Sequence, residues 1–269
     1  MPTVVRPVDV LLEVRADVSQ DAPQRNVWLE AGPYRVRLAM TESERTAAFR
    51  LRFLVFNLEL NEGLESAFED GYDVDRYDAV CDHLIVEHRE TGAVVGTYRL
   101  QMGDVAKQHF GYYGEQEFDF SPYEPIRSQI VELGRACIHR DHRASEVLNL
   151  LWRGIARYVI GNGGRYMIGC CSLPSLDNAE GHAVYRSLKS YLAEPKLMTV
   201  PTEKYRMPHA LSEPGKVDPP KLLRAYLTIG AKICSEPAID WEFKTIDFLT
   251  LLDLQTLHPR VAARFLEGC

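Results

Sequence analysis

The chain has 269 residues, of which 46% are hydrophobic and 26% charged, with a formal net charge of −7. That length buries a sizeable core, and the balance of apolar and charged residues excludes a disordered or fibrous chain. The acidic balance, without a basic run, lacks the electrostatic footprint of a nucleic-acid binder, although a local basic patch for an acidic protein partner remains compatible with it. No apolar stretch reaches the roughly 20 residues that span a bilayer. Met1 to Val18 is broken by Arg6, Asp9, Glu13, Arg15 and Asp17, so it lacks the apolar core of a secretory signal. The expected compartment is the cytoplasm, with contact at the inner face of the membrane left open. None of the cysteines Cys81, Cys137, Cys170, Cys171, Cys234 and Cys269 forms a C-x-x-C pair, so buried, reduced thiols are expected.

In chain order, residues 1–33 carry scattered Pro and Gly and read as an N-terminal extension. Residues 34–269 read as a single domain. Tyr34 to Leu38 alternates like a strand. Thr41-Glu42-Ser43-Glu44 is a capping-box pattern, after which Ala48, Leu51, Val55 and Leu58 recur at helical spacing. Residues 61–81 are acidic and loop-like. His83 to His88, the turn Glu90-Thr91-Gly92 and Ala93 to Leu100 form a hairpin. Residues 102–128 hold Gly, Tyr, Pro and acidic residues without a period, as expected of a long functional excursion with short helices.

Gln129 to Ile138 reads as a central strand. Ser145 reads as the cap of a helix over Glu146 to Ile160, which Gly161-Asn162-Gly163-Gly164 stops. Tyr166 to Cys171 is a short buried strand and Asn178 to Tyr191 a helix. Residues 194–220 form a Pro-rich connector with a short strand at Leu197 to Val200. Lys221 to Lys232 is a helix, Phe248 to Leu254 a strand and Pro259 to Phe265 a last helix. The order fits an α/β (α+β) chain with a mixed sheet and helices on both faces.

Several chemistries are missing. The sequence has no G-x-G-x-x-G after a strand, no Walker A loop, no G-x-S-x-G elbow and no H-E-x-x-H. No His is followed by an Asp five positions later. The trio Cys81-Asp82-His83 alternates along a strand, which puts Asp82 on the face opposite the other two. No metal site is expected.

What remains is an ordered set of charges. Arg52 lies on the first helix with Phe53 and Phe56. An acidic run carries Asp73, Asp75 and Asp78. Arg99 ends the Val94-Val95-Gly96-Thr97-Tyr98-Arg99-Leu100 strand, and Glu132-Leu133-Gly134-Arg135 lies in the central strand. Charges inside strands this apolar are costly unless paired, so Arg99 and Arg135 are expected to meet acidic partners, with the 73–78 run as the candidate. The residues alone leave open a purely structural ion-pair network.

The same ordered set resembles the acyl carrier protein-dependent amino-acid N-acyltransferases of the GNAT superfamily. These include the acyl-homoserine lactone synthases and the ornithine-lipid N-acyltransferases. Cys81-Asp82-His83-Leu84, Leu150-Leu151-Trp152-Arg153-Gly154-Ile155, Gly230-Ala231-Lys232-Ile233-Cys234 and Asp247-Phe248 are similar to the ornithine-lipid branch, and the likeness runs over roughly residues 34–268.

The resemblance implies a GNAT-like, mostly antiparallel sheet whose central strands splay apart, with the thioester arm held by backbone amides of the central strand. It implies transfer of a (3-hydroxy)fatty acyl group from acyl carrier protein to the α-amine of L-ornithine, with no resident cofactor beyond the carrier's acyl-phosphopantetheine. On this reading Glu132 is the base, or the partner of an arginine, and is named with Arg135 as the catalytic pair. Arg52, Asp73, Asp75, Asp78 and Arg99 bind or position the acceptor. Gly134 leaves room for the arm, and Arg140, His142 and Arg143 approach the phosphopantetheine phosphate or the acidic carrier surface. Coenzyme A-dependent relatives carry glycines at the next helix start. Here that stretch reads Arg143-Ala144-Ser145-Glu146, which favours a carrier-protein donor. Acyl-homoserine lactone synthesis, acylation of another amino acid, and a non-enzymatic module binding carrier protein or lipid stay open as alternatives.

Overall fold

The computed structural model describes residues 27–209 and 217–266. Residues 1–26 of the expected extension and the thiol of Cys269 lie outside the described residues. The chain divides into two compact units, each discontinuous in sequence. Of the described residues, unit 1 comprises those up to Gln101, Leu133–Gly163 and those from Arg264 to Leu266; unit 2 comprises Met102–Glu132 and those between Gly164 and Ala263.

Unit 1 holds strands β1 (Trp28–Ala31), β2 (Tyr34–Leu38), β3 (Asp82–His88) and β4 (Ala93–Met102), paired as antiparallel neighbours in that order. It also holds the later part of β5 (Ile130–Ile138). β1 lies within the stretch assigned to the extension, because its short alternation, Trp28 out and Leu29 in, is too brief to register as a period in the sequence. The hairpin turns at Gly92, whose φ of +69° suits glycine.

Helix α1 (Glu42–Arg52) starts with the expected capping box: the Thr41 hydroxyl accepts from the Glu44 amide and the Glu44 carboxylate accepts from the Thr41 amide. Ala48, Leu51 and Val55 are buried, but Leu58 is exposed. From Phe53 to Leu60 the helix is wound as a π-helix, whose wider turn breaks the 3.6-residue phase and carries Leu58 outward.

A long helix lies over β1, β2 and β3. Gly154 lets it close on the strands: a Cβ there would stand 3.0 Å from the Val36 side chain and 3.1 Å from that of Leu84. This helix runs over Ser145–Gly161 with Ala144 as its cap residue, so Ser145 is its first helical residue rather than its cap. The Ser145 hydroxyl is turned to the Glu146 carboxylate.

In unit 2 the excursion opens with α2 (Gly103–Gln108), which makes the long helix α3, and continues through short 3-10 segments at Tyr113–Gln116 and Ser121–Gln129. The first residues of β5 pair in parallel with β6 (Tyr166–Leu173), the ladder running from Ile130 opposite Tyr166 to Glu132 opposite Ile168. β6 pairs antiparallel with β9 (Thr245–Asp253), which also carries β7 (Lys232–Ile233) and β8 (Ala238–Asp240). Among the described residues nine strands result, mixed and mostly antiparallel, as expected.

β9 is buried on both faces: Leu249 and Leu251 join a core with Tyr112, Phe118 and Tyr123, whereas Ile246 and Phe248 join one with Val184, Leu223 and Leu227. The surrounding helices are α4 (Asn178–Ser187) and α5 (Lys221–Ile229), followed late in the chain by α6 (Pro259–Leu266). α5 stops three residues early because Gly230, at φ +112°, caps it and Lys232 enters β7. The strand expected at Leu197 to Val200 is instead a 3-10 turn at Pro195–Leu197 and a single bridge from Phe118 to Pro201, since proline cannot donate to a ladder. Among the described residues no helix is long and apolar enough to cross a membrane.

Candidate functional site

Unit 1 gathers the expected charges. Arg52 ends α1 and is fully buried; its guanidinium stands 2.6 Å from Asp73 and 2.7 Å from Asp78. Arg99 on β4 reaches Asp75 at 2.7 Å and Asp78 at 3.3 Å, and Arg135 on β5 reaches Asp75 at 3.2 Å and Asp73 at 3.5 Å. The acidic run is itself shaped locally. Asp75 caps the 3-10 turn Arg76–Ala79 by accepting from the Tyr77 amide, and Asp78 reaches back to the Asp75 amide.

Burial alone would raise the Asp78 carboxyl, but Arg52 and Arg99 outweigh it and hold it far below the usual carboxylate range. Asp75 is likewise lowered, burial being overcome chiefly by Arg99. Arg135 sits at φ +49°, in the left-handed region, at a cost of about 1–2 kcal/mol for a residue with a Cβ. Its two ion pairs hold it there. The trio Cys81-Asp82-His83 is built into the same packing: Asp82 accepts from the Tyr158 hydroxyl at 2.8 Å, and His83 lies edge-on to Phe49 beside Asp78.

Unit 2 fixes Glu132. One carboxylate oxygen accepts from the Tyr113 amide at 2.8 Å and the other from the Gly114 amide at 2.7 Å, at the start of the 3-10 turn of the excursion. Gly114 is required by closeness: a Cβ would stand 3.0 Å from the Phe120 ring and 3.1 Å from the Glu132 oxygen. The carboxylate is thus oriented by backbone amides on both oxygens.

A second acidic group in unit 2 was not among the expected site residues. Glu117, Asp240 and Asp247 each present a carboxylate oxygen within 4.8 Å of those of the others, and all three are buried. The Cys170 thiol donates to Glu117 at 3.7 Å, and the Thr245 hydroxyl donates to Asp247 at 3.1 Å. Burial, with Asp240 nearby, pushes the Asp247 carboxyl up to about 6, and burial with Asp247 raises Glu117 well above its ordinary range. Burial also raises the Cys170 thiol, so it is no poised nucleophile. The signal in the sequence was Asp247 alternating inside an otherwise apolar strand; Glu117 and Asp240 carried none.

The residues expected to meet the carrier arm are in unit 1. Gly134 has no protein atom within 4 Å of where a Cβ would be, so its side of the strand is open. Arg140 is exposed, 3.8 Å from Asp141. Arg143 is tied to Glu59 at 2.6 Å, and His142 meets the Tyr34 hydroxyl at 3.0 Å and packs beside the His88 and His139 rings. The three basic groups are therefore engaged separately. The cap residue of α3 makes no side-chain bond to the helix amides.

A family model described as an acetyltransferase (GNAT) domain matches residues 51–153. The L-ornithine N(alpha)-acyltransferase of Agrobacterium fabrum is 30% identical, covering 94% of this chain and 91% of that protein. The protein of the same name from Rhizobium meliloti is 30% identical over 89% of this chain and 86% of its own length. Among solved structures, the acyl-homoserine lactone synthase LasI superposes with a TM-score of 0.50 at 12% identity, over 88% of this chain and 97% of that one. FeeM, an N-acyl amino acid synthase from uncultured soil microbes, gives 0.51 at 9% identity, over 88% and 95%. At those identities the structures speak to the fold.

Proposed function

The chain belongs to the L-ornithine N(alpha)-acyltransferase family, and on that premise we propose that it transfers a 3-hydroxy fatty acyl group from acyl carrier protein to the α-amine of L-ornithine. The product is a lyso-ornithine lipid. The observation that carries the reading is the likeness to curated relatives of that activity over nearly the whole chain.

The chemistry asked of the protein is modest. The α-amine attacks the thioester carbonyl carbon, the C–N bond forms, the C–S bond breaks, and the departing phosphopantetheine sulfur ends as a thiol. The amine must shed a proton on the way. Glu132 takes it, directly or through one water, and its fixation by the Tyr113 and Gly114 amides means that no reorientation is needed. Gly134, two positions along β5, leaves room for the thioester arm. Arg52, Arg99 and Arg135 hold the 73–78 loop rather than meeting the acceptor themselves.

The donor assignment rests on the α3 start, Arg143-Ala144-Ser145-Glu146, which carries a negative charge and no glycine where a pyrophosphate would need bare, closely approached amides. Such an enzyme works on the cytoplasmic side, near the inner face of the membrane into which its product partitions. The test is an incubation with L-ornithine and either 3-hydroxyacyl carrier protein or the matching coenzyme A thioester, read by mass spectrometry. N-acyl ornithine is expected with the carrier-protein donor. Turnover with coenzyme A thioesters alone would overturn the donor assignment, and acylation of other amino acids in preference to ornithine would overturn the acceptor.

A further inference from the structure

Three buried carboxylates close enough to share one cation are an unusual thing for a fold to keep. Glu117, Asp240 and Asp247 are 1%, 3% and 4% exposed. Among the described residues no lysine or arginine forms an ion pair with any of them; Lys204, the cation whose charge is felt at Asp240, points its ammonium at the Tyr205 hydroxyl. Asp247 takes the Thr245 hydroxyl at one oxygen and lies against the Ser172 and Glu117 side chains, while its Oδ1 is buried without a hydrogen-bond partner of its own. Unpaired buried carboxylates cost the fold several kcal/mol unless a cation or a proton joins them.

Their placement on the sheet says which cation fits. In the β6–β9 ladder Ser172 stands opposite Asp247 and Cys170 opposite Leu249, and Glu132 on β5 stands opposite Ile168. Side chains two apart on a strand share a face, so Glu132, Ile168, Cys170, Ser172 and Asp247 all lie on one face. Ala238, opposite Asp247, and Asp240, two residues on, belong to it as well. Glu117 closes over this face through Cys170. The row is open to water at Ser172, which is exposed, while Cys170 is half-buried.

The step from the Glu132 position to the Cys170–Glu117 position is one strand across and two residues along, about 8 Å between backbone positions, and the two carboxylates reach into that span from either end. The two nitrogens of extended ornithine are separated by five single bonds of about 1.5 Å each, hence about 6 Å. An α-amine at Glu132 therefore brings the δ-ammonium to the unpaired acids.

We propose that Glu117, Asp240 and Asp247 are the seat of the acceptor's side-chain ammonium, and so the residues that make a diamino acid the substrate. The inference rests on the proposed reading that the chain acylates ornithine. It replaces the sequence expectation that Asp73, Asp75 and Asp78 attract the cationic acceptor, since arginines already occupy those acids. Asp247, with its unpartnered oxygen, and Glu117 are the ligands proper. Asp240 is bound at one oxygen by the Glu242 and Phe243 amides and is a supporting charge.

The experiment measures kcat/KM of the full chain with L-ornithine, and with L-norvaline and L-citrulline, which keep the α-amine but carry no side-chain ammonium. In the wild type, ornithine is expected to exceed both by about 100-fold or more, because a site built for a buried charged partner rejects an analogue lacking it. In Asp247→Asn and in Glu117→Gln the ratio of the ornithine to the norvaline value should collapse toward one. A ratio that stays at its wild-type level in both variants overturns the proposal, as does a wild type that treats ornithine and norvaline alike. The substrate arm needs no variant, so poor folding of one substitution does not shield the idea. Loss of ornithine turnover on chelation with EDTA, restored by a divalent ion, also overturns it, because the cation of the cluster is then a metal. If no amino acid is acylated at all, the proposed activity itself falls and takes the inference with it, an outcome distinct from active enzyme without selectivity.

Discussion

Each unit gathers a group of three acids at or near its interior, and the two groups are treated in opposite ways. In unit 1, Asp73, Asp75 and Asp78 face Arg52, Arg99 and Arg135, and Asp78 is held fully ionised. In unit 2, Glu117, Asp240 and Asp247 face one another, and burial drives Glu117 and Asp247 toward the protonated form. The first group is complete within the chain and fixes a loop. The second has no lysine or arginine paired with it among the described residues, and on the inference above its counter-charge is the acceptor's ammonium.

The comparison can be broken most forcefully at Asp78. Replacing it with Asn leaves Arg52 with Asp73 alone and takes one of Arg99's two acids away, and should destabilise the folded state by about 3–5 kcal/mol. Urea denaturation reads this directly; a loss below about 1 kcal/mol would mean that the network is not what holds the loop. Glu132→Gln keeps the size and the acceptor oxygen but removes the proton sink. It should lower kcat by about 10²–10⁴-fold and, because only one of the Tyr113 and Gly114 amides keeps an acceptor, lower stability by about 1–3 kcal/mol while the protein stays folded. Near-normal turnover would remove Glu132 from the mechanism.

The unpaired group sharpens the contrast through pH. Asp247 has a folded-state value of about 6 against an ordinary 3.8. The folded chain therefore binds that proton more tightly than the unfolded chain, so its contribution to stability is full at low pH and is lost as pH rises through about 6. Between pH 4 and 7, without substrate, wild type should lose roughly 2–3 kcal/mol relative to Asp247→Asn, in which that carboxyl no longer titrates. Equal pH slopes in the two proteins would contradict this. Asp78→Asn gives the opposite dependence, because the lowered carboxyl of unit 1 contributes above its ordinary range and is lost only in strong acid.

The smallest effect is expected at the surface. Arg140 is three-quarters exposed and bound only loosely by Asp141. Arg140→Ala should leave stability within about 0.5 kcal/mol and, if the basic loop meets the acidic carrier, raise KM for acyl carrier protein a few-fold, more at low salt than at high. An unchanged KM would release this loop from carrier recognition.

Much of unit 1 could be read from the sequence because its signals are local. The capping box at Thr41 and Glu44, the Gly92 hairpin and the spacing of arginines and aspartates each announce themselves within a few residues, and charges inside apolar strands demand partners. The failures have a common cause in longer-range geometry. The π-turn from Phe53 displaced Leu58 without any marker in composition. β8 is three residues long, too short to show a period. Glu132 could be seen as a buried charge, but not that its partners would be backbone amides of Tyr113 and Gly114, since every residue has an amide. Glu117 and Asp240 sit in irregular stretches far apart in sequence from Asp247, and only the fold brings their carboxylates together. The sequence pointed to the acids of the 73–78 run as the acceptor site because they are clustered along the chain; in the structure they pair with Arg52, Arg99 and Arg135.

The most direct test of the account is the position of the new amide in the product formed from 3-hydroxyacyl carrier protein and L-ornithine, read by fragmentation in the mass spectrometer. With the side-chain ammonium seated among Glu117, Asp240 and Asp247 and the α-amine offered to Glu132, the acyl group should be found on the α-nitrogen alone. Acylation of the δ-nitrogen, or a mixture of the two, would contradict both the orientation of the acceptor and the division of labour between the paired and the unpaired acids.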